Sequence, residues 1–377
     1  MESRGLPRYR GRQIFDALHR RGRRDYGDAR ELPADRRARL AEELPLRLPE
    51  IMRREESRAG SVKYGLRLSD GALVEAVFMP GLRSFSESNE FEDARAAGTA
   101  APTPVATPSA RPRRGSTDPQ ERFTVCLSSQ TGCAVDCAFC VTGRLGGGRN
   151  MTAGEILGEL YAVLDDVGRT SEGLRVVFMG MGEPFLNPDA VSEALDVLFE
   201  VLPARRVTVS TSGITPGFAR FAARTRRPNL AVSINAADSA TRARLMPIER
   251  TYPLRDVVAA MRAWPLESHR RITAEYVLIA GVNDSGTDAD ALARMLSGLR
   301  VKVNVIPLNE DPTYLPGWKR PAEDVIDRFA ERLSSGGIPV TVRRSRGPDA
   351  SAACGQLKGR TEDPRRISRG ESPRRSG

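Results

Sequence analysis

Apolar segments of strand length alternate with helical patterns along most of this chain, and this alternation limits the folds open to it. The strand-like segments are 123–127, 175–180, 206–211, 229–234, 272–279, 301–307 and 339–344. The helical patterns between them include 153–166, 189–201, 254–263, 288–298 and 322–334. Such an alternation predicts an α/β fold with a parallel sheet. Ligands of parallel α/β folds bind at the carboxyl ends of the strands, so we expect the functional residues there.

Three of the five cysteines lie within eight residues, directly after the first of these predicted strands. Cys133, Cys137 and Cys140 have the spacing CxxxCxxC. Thiolates select iron–sulfur clusters or zinc, and three of them leave one position of a 4Fe-4S cluster without a protein ligand. The alternative is a zinc site completed by a histidine, which is weak because His19 and His269 lie far away in sequence. The motif therefore predicts a 4Fe-4S cluster with one open iron.

The chain before residue 122 is organised differently. Residues 8–48 contain two amphipathic stretches, and 64–80 alternates around a turn at Asp70 and Gly71, which predicts a hairpin. Residues 101–115 hold four prolines without apolar periodicity, which is typical of disorder. We therefore divide the chain into an N-terminal basic helical module (1–50), a β-hairpin accessory segment (51–80), a disordered Pro/Ser/Ala-rich insertion (81–121), a catalytic domain (122–357) and a disordered basic tail (358–377).

Positive charge is concentrated near both ends of the sequence. The net charge is +10; residues 1–50 hold 13 Lys and Arg against 9 Asp and Glu, and residues 358–377 hold 7 against 3. Basic flanking segments suit a polyanionic substrate, although an Arg-rich composition alone also fits a GC-rich genome. The sequence lacks an apolar run of roughly 18 residues and begins with charged residues, so we expect a cytoplasmic protein without membrane partners.

Further short motifs surround the cysteines in a fixed order. They are CLSSQTGC at 126–133, RNMTAGE at 149–155, GMGEP at 180–184, STSG at 210–213, LMP at 245–247, VRRSRG at 342–347 and ACG at 353–355. With CxxxCxxC, this set resembles radical S-adenosylmethionine (SAM) enzymes, in particular the adenosine C2 methyltransferases of 23S ribosomal RNA, the RlmN family. The resemblance extends over residues 6–357. It implies an incomplete (β/α)6 radical-SAM barrel with a small N-terminal helical and β-hairpin accessory domain.

The resemblance also implies which residues bind the cofactors. Cys133, Cys137 and Cys140 would hold the 4Fe-4S cluster, and SAM would fill its open iron position. The matching SAM contacts are Gly182, Glu183, Ser210, Ser233, Ile234, Asn235 and Asn309. Asn235 departs from the pattern, since many relatives have histidine there. An amide keeps a hydrogen-bonding role but cannot carry a proton.

Two cysteines and a glutamate would carry the chemistry that the resemblance implies, with two SAM molecules consumed per turnover. Cys354 would receive a methyl group from one SAM, and a radical derived from the second would take hydrogen from that methyl group. The resulting carbon radical would add to adenine C2, which is not nucleophilic. Cys126 would then attack the Cys354 sulfur and release the product, and Glu75 would accept the adenine proton. Structural roles are the alternatives: a buried thiol for either cysteine, and a solvent-facing carboxylate for Glu75.

The resemblance and the charge distribution together predict the substrate and partners. We expect methylation of C2 of an adenosine in the peptidyl transferase region of 23S rRNA, with the tRNA adenosine 3′ to the anticodon as a second candidate substrate. Arg343, Arg344 and Arg346 are weaker candidates for holding RNA phosphates. A flavodoxin or ferredoxin is the expected electron donor, and a monomer is expected. Two alternatives stay open: C8 methylation of the same adenosine, as in related resistance enzymes, and a noncatalytic Fe-S RNA-binding protein.

Overall fold

The computed structural model describes residues 7–81, 122–343 and 357. The predicted tail and the predicted insertion, except residue 81, lie outside the described residues, and their disorder stays a prediction. No helix within the described ranges is long and apolar enough to cross a membrane.

One sheet of ten strands, ordered as in the chain, organises the described residues. The strands are β1 (Glu50–Glu56), β2 (Val62–Arg67), β3 (Leu73–Pro80), β4 (Phe123–Cys126), β5 (Leu174–Phe178), β6 (Val207–Thr211), β7 (Asn229–Ser233), β8 (Ile272–Leu278), β9 (Val301–Pro307) and β10 (Val340–Val342). Neighbours from β1 to β4 pair antiparallel, and those from β4 to β10 pair parallel. The seven strands predicted after residue 122 are confirmed, with ends within two residues of the prediction.

Helices follow the parallel strands in the order that the sequence predicts. The helices are α1 (Arg8–Phe15), α2 (Ala34–Glu43), α3 (Val141–Arg144), α4 (Ala153–Asp166), α5 (Pro188–Val201), α6 (Thr215–Ala222), α7 (Ser239–Leu245), α8 (Leu254–Ala263), α9 (Gly286–Leu296) and α10 (Glu323–Ser335). A capping box between Thr152 and Glu155 starts α4. Each of β4 to β9 is thus followed by at least one helix before the next strand, which gives six β/α units.

The predicted hairpin is continuous with the parallel sheet. β2 and β3 pair around the turn at Asp70 and Gly71, and β3 pairs with β4. The Tyr64 hydroxyl donates to Oδ2 of Asp166 at the end of α4, 2.7 Å away. The sequence did not indicate β1, because this edge strand is mostly exposed and lacks an alternating pattern.

Strand register separates an inner from an outer face of the sheet. Tyr276 of β8 contacts Phe329 of α10, with ring centroids 5.3 Å apart, so even-numbered residues of β8 face the helices. Glu275 therefore faces the opposite, inner side, where the register places it between Ser233 of β7 and Asn304 of β9. The same reasoning from Tyr64, which faces α4, places three side chains in a row across β2, β3 and β4 on the inner face: Lys63, Val77 and Cys126.

The sheet curls strongly around this inner face. Strands β5 and β10 are five positions apart in the sheet, which in a flat sheet would separate them by about 24 Å. A guanidinium nitrogen of Arg343, directly after β10, nevertheless lies 3.8 Å from Sδ of Met179, directly after β5. The parallel strands therefore form an incomplete barrel, as the resemblance implies.

The N-terminal helical module has a small core of its own. Its buried residues are Ile14, Ala17, Tyr26, Ala29, Leu32 and Leu40. The first helix begins at Arg8 and continues as a π-helical turn over Asp16–Arg20. The module rests on α4 through Arg24, whose Nε lies 2.9 Å from Asp165, and through a 2.6 Å hydrogen bond between His19 and Tyr161.

If the Tyr64 hydroxyl ties the hairpin to α4, Tyr64→Phe will lower the free energy of unfolding by about 1 kcal/mol, the usual net value of such a hydrogen bond. Urea unfolding followed by circular dichroism measures this. Tyr9→Phe is the matched control, since Tyr9 is 57% exposed and should change stability little. Equal stabilities for the two variants would contradict the assigned role of the hydrogen bond.

Candidate functional site

The cysteine motif lies in a loop between β4 and α4 whose two ends are held together. The Cys133 amide donates to Gly146 O (3.0 Å), and the Thr131 amide donates to Arg149 O (3.0 Å). A Cβ at Gly132 would lie 2.7 Å from Gly146 O, and one at Gly148 would lie 2.5 Å from Gly132 N. The two arms of the loop therefore pass so closely that only glycine fits at both positions.

The loop brings the three thiols of the motif into mutual electrostatic contact. The pKa of Cys133 is raised to about 12, mainly by burial and also by the nearby charges of Cys140 and Glu183, whereas a hydrogen bond from the Val135 amide opposes the rise. Burial also raises the pKa of Cys137 well above its ordinary value, with contributions from Cys140 and Cys133. Because iron binds thiolates, ligation at these cysteines would release protons.

An apolar shell surrounds this loop. Cys137 and Phe139 pack against the buried cluster of Leu245, Met246, Ile279 and Leu308, and the Ala138 amide donates to Leu245 O (2.8 Å). The LMP motif at 245–247 thus supports the cysteine loop. Within the described ranges, no three His, Cys, Asp or Glu side chains converge as the ligands of one metal ion would. Each thiolate of a 4Fe-4S cluster binds a different iron, so its thiols need not converge on one point, and three neighbouring thiols in one loop fit such a cluster.

Glu183, in the GMGEP segment after β5, presents a buried carboxylate toward this loop. It accepts hydrogen bonds from the Phe185 amide (2.9 Å), the Ser212 amide (2.7 Å) and the Ser212 hydroxyl. Burial raises the pKa of Glu183, and the hydrogen bonds from Ser212, Phe185 and Thr211 oppose this rise. These donors fix the orientation of the carboxylate, a group that attracts cations such as the ammonium group of an amino acid.

Gly182 lets two loops approach each other beside this carboxylate. Its φ is +96°, and a Cβ there would lie 2.6 Å from Cβ of Gln130. The Gln130 side chain accepts a hydrogen bond from the Glu183 amide (2.8 Å). The glycine is therefore required both by its backbone conformation and by the packing of the GMGEP segment against the cysteine loop.

A fully buried arginine that the sequence analysis did not single out joins the ends of two strands. Arg242 of α7 donates to the carbonyl oxygens of Ser212 (2.7 Å), Ile234 (3.1 Å) and Ser233 (3.3 Å), and pairs with Glu249 (2.5 Å). Its positive charge also opposes the rise that burial causes in the pKa of Cys137. The helix contains two arginines, and the sequence carries no signal that distinguishes the buried Arg242 from the exposed Arg244.

The predicted SAM contacts occupy the carboxyl ends of β6, β7 and β9, as expected. Ser210, Ser233 and Asn309 are half-buried there, and Ile234 is fully buried. The Asn235 side chain is engaged within the protein: Oδ1 accepts from the Val277 amide (2.8 Å) and Nδ2 lies 3.1 Å from the Met246 sulfur. Asn235 has φ +57°, a conformation that asparagine tolerates better than most residues. Its role as a SAM contact stays a prediction.

Glu75 is buried, and its surroundings are not only apolar. It is 4% exposed, and Oε1 lies 3.6 Å from Nζ of Lys63, which is 2% exposed. The same ammonium group lies 3.3 Å from Glu55 of β1. Cys126 is buried on the same face, opposite Val77 in the register. Lys63 therefore holds the Glu75 carboxylate in an ion pair on the inner face.

Three predicted site residues, Cys354, Arg344 and Arg346, lie outside the described residues. Leu357, the described residue nearest in sequence to Cys354, is buried, and its carbonyl accepts a hydrogen bond from the Thr142 hydroxyl (2.7 Å). Thr142 follows the third cysteine of the motif by two residues, so Leu357 lies beside the cysteine loop. Arg343 extends over the inner face toward Met179. Its contact with RNA phosphates stays a prediction.

Comparisons with known proteins agree with this geometry. The Radical SAM superfamily model matches residues 127–293. "Probable dual-specificity RNA methyltransferase RlmN" of Koribacter versatilis is 40% identical over 367 residues, which cover 96% of this chain and 99% of the relative. The corresponding protein of Sorangium cellulosum is 41% identical, with 95% and 92% covered. The crystal structure of a radical SAM methyltransferase from Sphaerobacter thermophilus matches with a TM-score of 0.79 at 40% identity and covers 95% of both chains.

Because Arg242 is buried and paired, Arg242→Met will leave Glu249 as an uncompensated buried charge and will lower the free energy of unfolding by about 3–5 kcal/mol. The matched control is Arg244→Met on the same helix, where the side chain is exposed and little change is expected. Chemical denaturation of the two variants measures the difference. A loss below about 1 kcal/mol for Arg242→Met, of the size typical of exposed pairs, would contradict the role assigned to this arginine.

Proposed function

This chain belongs to the RlmN family of radical SAM RNA methyltransferases, and from that premise we propose that it methylates C2 of an adenosine in the peptidyl transferase region of 23S rRNA. The tRNA adenosine 3′ to the anticodon is the second proposed substrate; the relatives' names include the words "dual-specificity". The observation that carries the proposal is the placement of Cys126 and the Glu75–Lys63 pair on the inner face of one sheet, whose strand β4 leads into the cysteine loop.

The family implies a 4Fe-4S cluster and SAM. The residues at the barrel mouth, which is formed by the loops at the carboxyl ends of β4 to β9, fit both. When bound, the cluster supplies the electron that makes SAM a source of a carbon-centred radical. Cys133, Cys137 and Cys140 would hold the cluster inside its apolar shell. Glu183 would attract the SAM ammonium group, and Ser210, Ser233 and Asn309 would bind other polar groups of SAM. We propose two SAM molecules per turnover, and a flavodoxin or ferredoxin as the electron donor.

Cys354 is proposed to carry the methyl group to the base. The support is the anchored Leu357, three residues further along, whose carbonyl is bound by Thr142 beside the cysteine loop. Cys126 is the proposed resolving thiol, since it is buried on the inner face within the strand that leads to this loop. Its thiolate would attack the Cys354 sulfur, so that an S–S bond forms and the S–C bond to the methylene group breaks. The released electron pair stays on the methylene carbon, which then takes a proton.

Glu75 is proposed to take the proton from the adenine carbon. A general base must be held within reach of the proton that it takes. Lys63 holds Glu75 in place, because its ammonium group is itself buried and lies 3.6 Å from Glu75. Glu55, on the other side of Lys63, is less buried and connects the pair toward the edge strand β1. The ion pair thus positions the proposed base inside the barrel.

The proposal is tested by mass spectrometry of nucleosides from digested 23S rRNA. A deletion strain should lack 2-methyladenosine, and the wild-type gene should restore it. Neither Cys354→Ala nor Cys126→Ala should do so, and Cys126→Ala should also accumulate RNA bound covalently to the protein, because the thioether cannot be cleaved. Persistence of 2-methyladenosine in the deletion strain, or a change in 8-methyladenosine instead, would refute C2 methylation by this protein. Activity of Cys354→Ala would refute the methyl-carrier role.

Lys63→Met should weaken RNA methylation. Without its ion-pair partner the Glu75 carboxylate is no longer held in position on the inner face, so single-turnover methylation should fall at least about tenfold. Lys63→Arg, which can keep the ion pair, should retain most of the activity. A Lys63→Met variant that methylates RNA at the wild-type rate would contradict the positioning role of Lys63.

A further inference from the structure

Glu275, which has no assigned role so far, is a buried carboxylate in the middle of the barrel. It is 5% exposed and lies on β8, between Ser233 of β7 and Asn304 of β9 in the strand register. The side chains before and after it, Ala274 and Tyr276, are fully buried in the core beneath the helices. Glu275 therefore points away from this core and into the barrel, in the same row as Ser233.

The two oxygens of the Glu275 carboxylate differ in their hydrogen bonding. Oε1 accepts a hydrogen bond from Nδ2 of Asn304 (3.1 Å). Among the described residues, no hydrogen-bond donor reaches Oε2, although this atom is buried. Buried polar atoms nearly always have partners, and an unsatisfied one costs about 1–3 kcal/mol. An oxygen kept in this state inside a binding barrel suggests a ligand that supplies the donor.

Positive side chains near Glu275 favour its ionised form. Burial raises the pKa of Glu275, and the charges of Arg343 and Lys302 and the hydrogen bond from Asn304 oppose this rise. Arg343 follows β10, and Lys302 and Asn304 lie on β9. Two cations thus accompany one carboxylate on this inner face, so the carboxylate is suited to accept hydrogen bonds from a neutral hydroxyl donor instead of binding a further cation.

We propose that Glu275 binds the ribose hydroxyl groups of SAM, together with Ser233. An acidic side chain that accepts from ribose hydroxyls is a recurring solution in nucleotide-binding α/β proteins. The free 2′,3′-diol also distinguishes the two nucleosides that enter this barrel: SAM carries both hydroxyls, whereas the 3′ oxygen of a nucleotide within RNA is esterified. The inference rests on one part of the proposed function, namely that SAM binds at the carboxyl ends of the parallel strands.

The test is a binding cycle between the protein and the cofactor, performed without RNA on cluster-reconstituted protein. Dissociation constants are measured by anaerobic equilibrium dialysis for SAM and for its 3′-deoxy analogue. Wild-type protein should bind the analogue about tenfold more weakly than SAM, a typical loss for a hydrogen bond to a charged group. Glu275→Gln should bind SAM about tenfold more weakly than wild type and should discriminate little between the two ligands, because the interaction under test is already removed.

A second buried glutamate supplies the matched control. Glu159 of α4 also has one carboxylate oxygen without a partner among the described residues, but its other oxygen accepts from the Ser128 amide. Glu159→Gln should keep the wild-type preference for SAM over the analogue. If Glu275→Gln keeps this preference as well, the proposal is wrong. If Glu275→Gln binds both ligands as wild type does yet fails to methylate RNA, the carboxylate serves the target nucleotide, and the proposal is equally wrong.

The role of Glu275 in ribose binding and the proposed C2 methylation can be refuted independently of each other. SAM affinity is measured without RNA, so loss of ribose discrimination in Glu275→Gln would support the inference even if the rRNA digest excluded C2 methylation. Conversely, 2-methyladenosine formation by wild type together with intact discrimination in Glu275→Gln would leave the function standing and remove this role of Glu275. The melting temperature of each variant, measured in parallel, shows whether the fold is retained.

Discussion

The buried guanidinium of Arg242 is the interaction on which the barrel mouth depends. Its donors are shared among carbonyl groups at the ends of β6 and β7 and the carboxylate of Glu249. A buried cation is tolerated only when its donors and its charge are both satisfied. Because arginine has five donors in a planar fork, one side chain fixes two loops at once. One of those loops carries Ser212, which in turn fixes the carboxylate of Glu183.

The loops of the mouth form one connected network that starts from this arginine. Ser212 donates to Glu183, and the Glu183 amide donates to Gln130 in the cysteine loop. On the other side, the LMP segment that follows Arg242 supports Cys137 and Phe139 through apolar packing. The cysteine loop, the Glu183 carboxylate and the ends of the strands are therefore held in position relative to each other by the protein itself. Such preorganisation is what radical chemistry requires, since a misplaced hydrogen donor would be attacked instead.

The sequence predicts the parallel strands well because both of their faces are covered, so each reads as a short apolar run. It misses β1, where exposed charged residues hide the strand, and it misses α6 and α7, which are only eight and seven residues long. The CxxxCxxC motif and GMGEP are local and are visible as sequence patterns. Arg242, Lys63 and Glu275 cannot be recognised from the sequence in this way. The role of each depends on partners elsewhere in the chain, which only folding brings close.

Buried carboxyl groups lie on both sides of this sheet, and their surroundings differ between the outer and the inner side. Burial raises the pKa of Glu159 to about 8, and its Oε2 holds the Ser128 amide at the start of the cysteine loop. Since this pKa lies above its ordinary value, Glu159 keeps its proton in the folded protein, and stability declines as the pH rises from the ordinary carboxyl pKa toward 8. Glu75 and Glu275 instead face the barrel, and each has a positive side chain nearby. Lys63 lies 3.6 Å from Glu75, and the charge of Arg343 opposes the rise that burial causes in the pKa of Glu275. The outer carboxyl group thus serves structure as a neutral hydrogen-bonding group, whereas the inner ones are accompanied by cations.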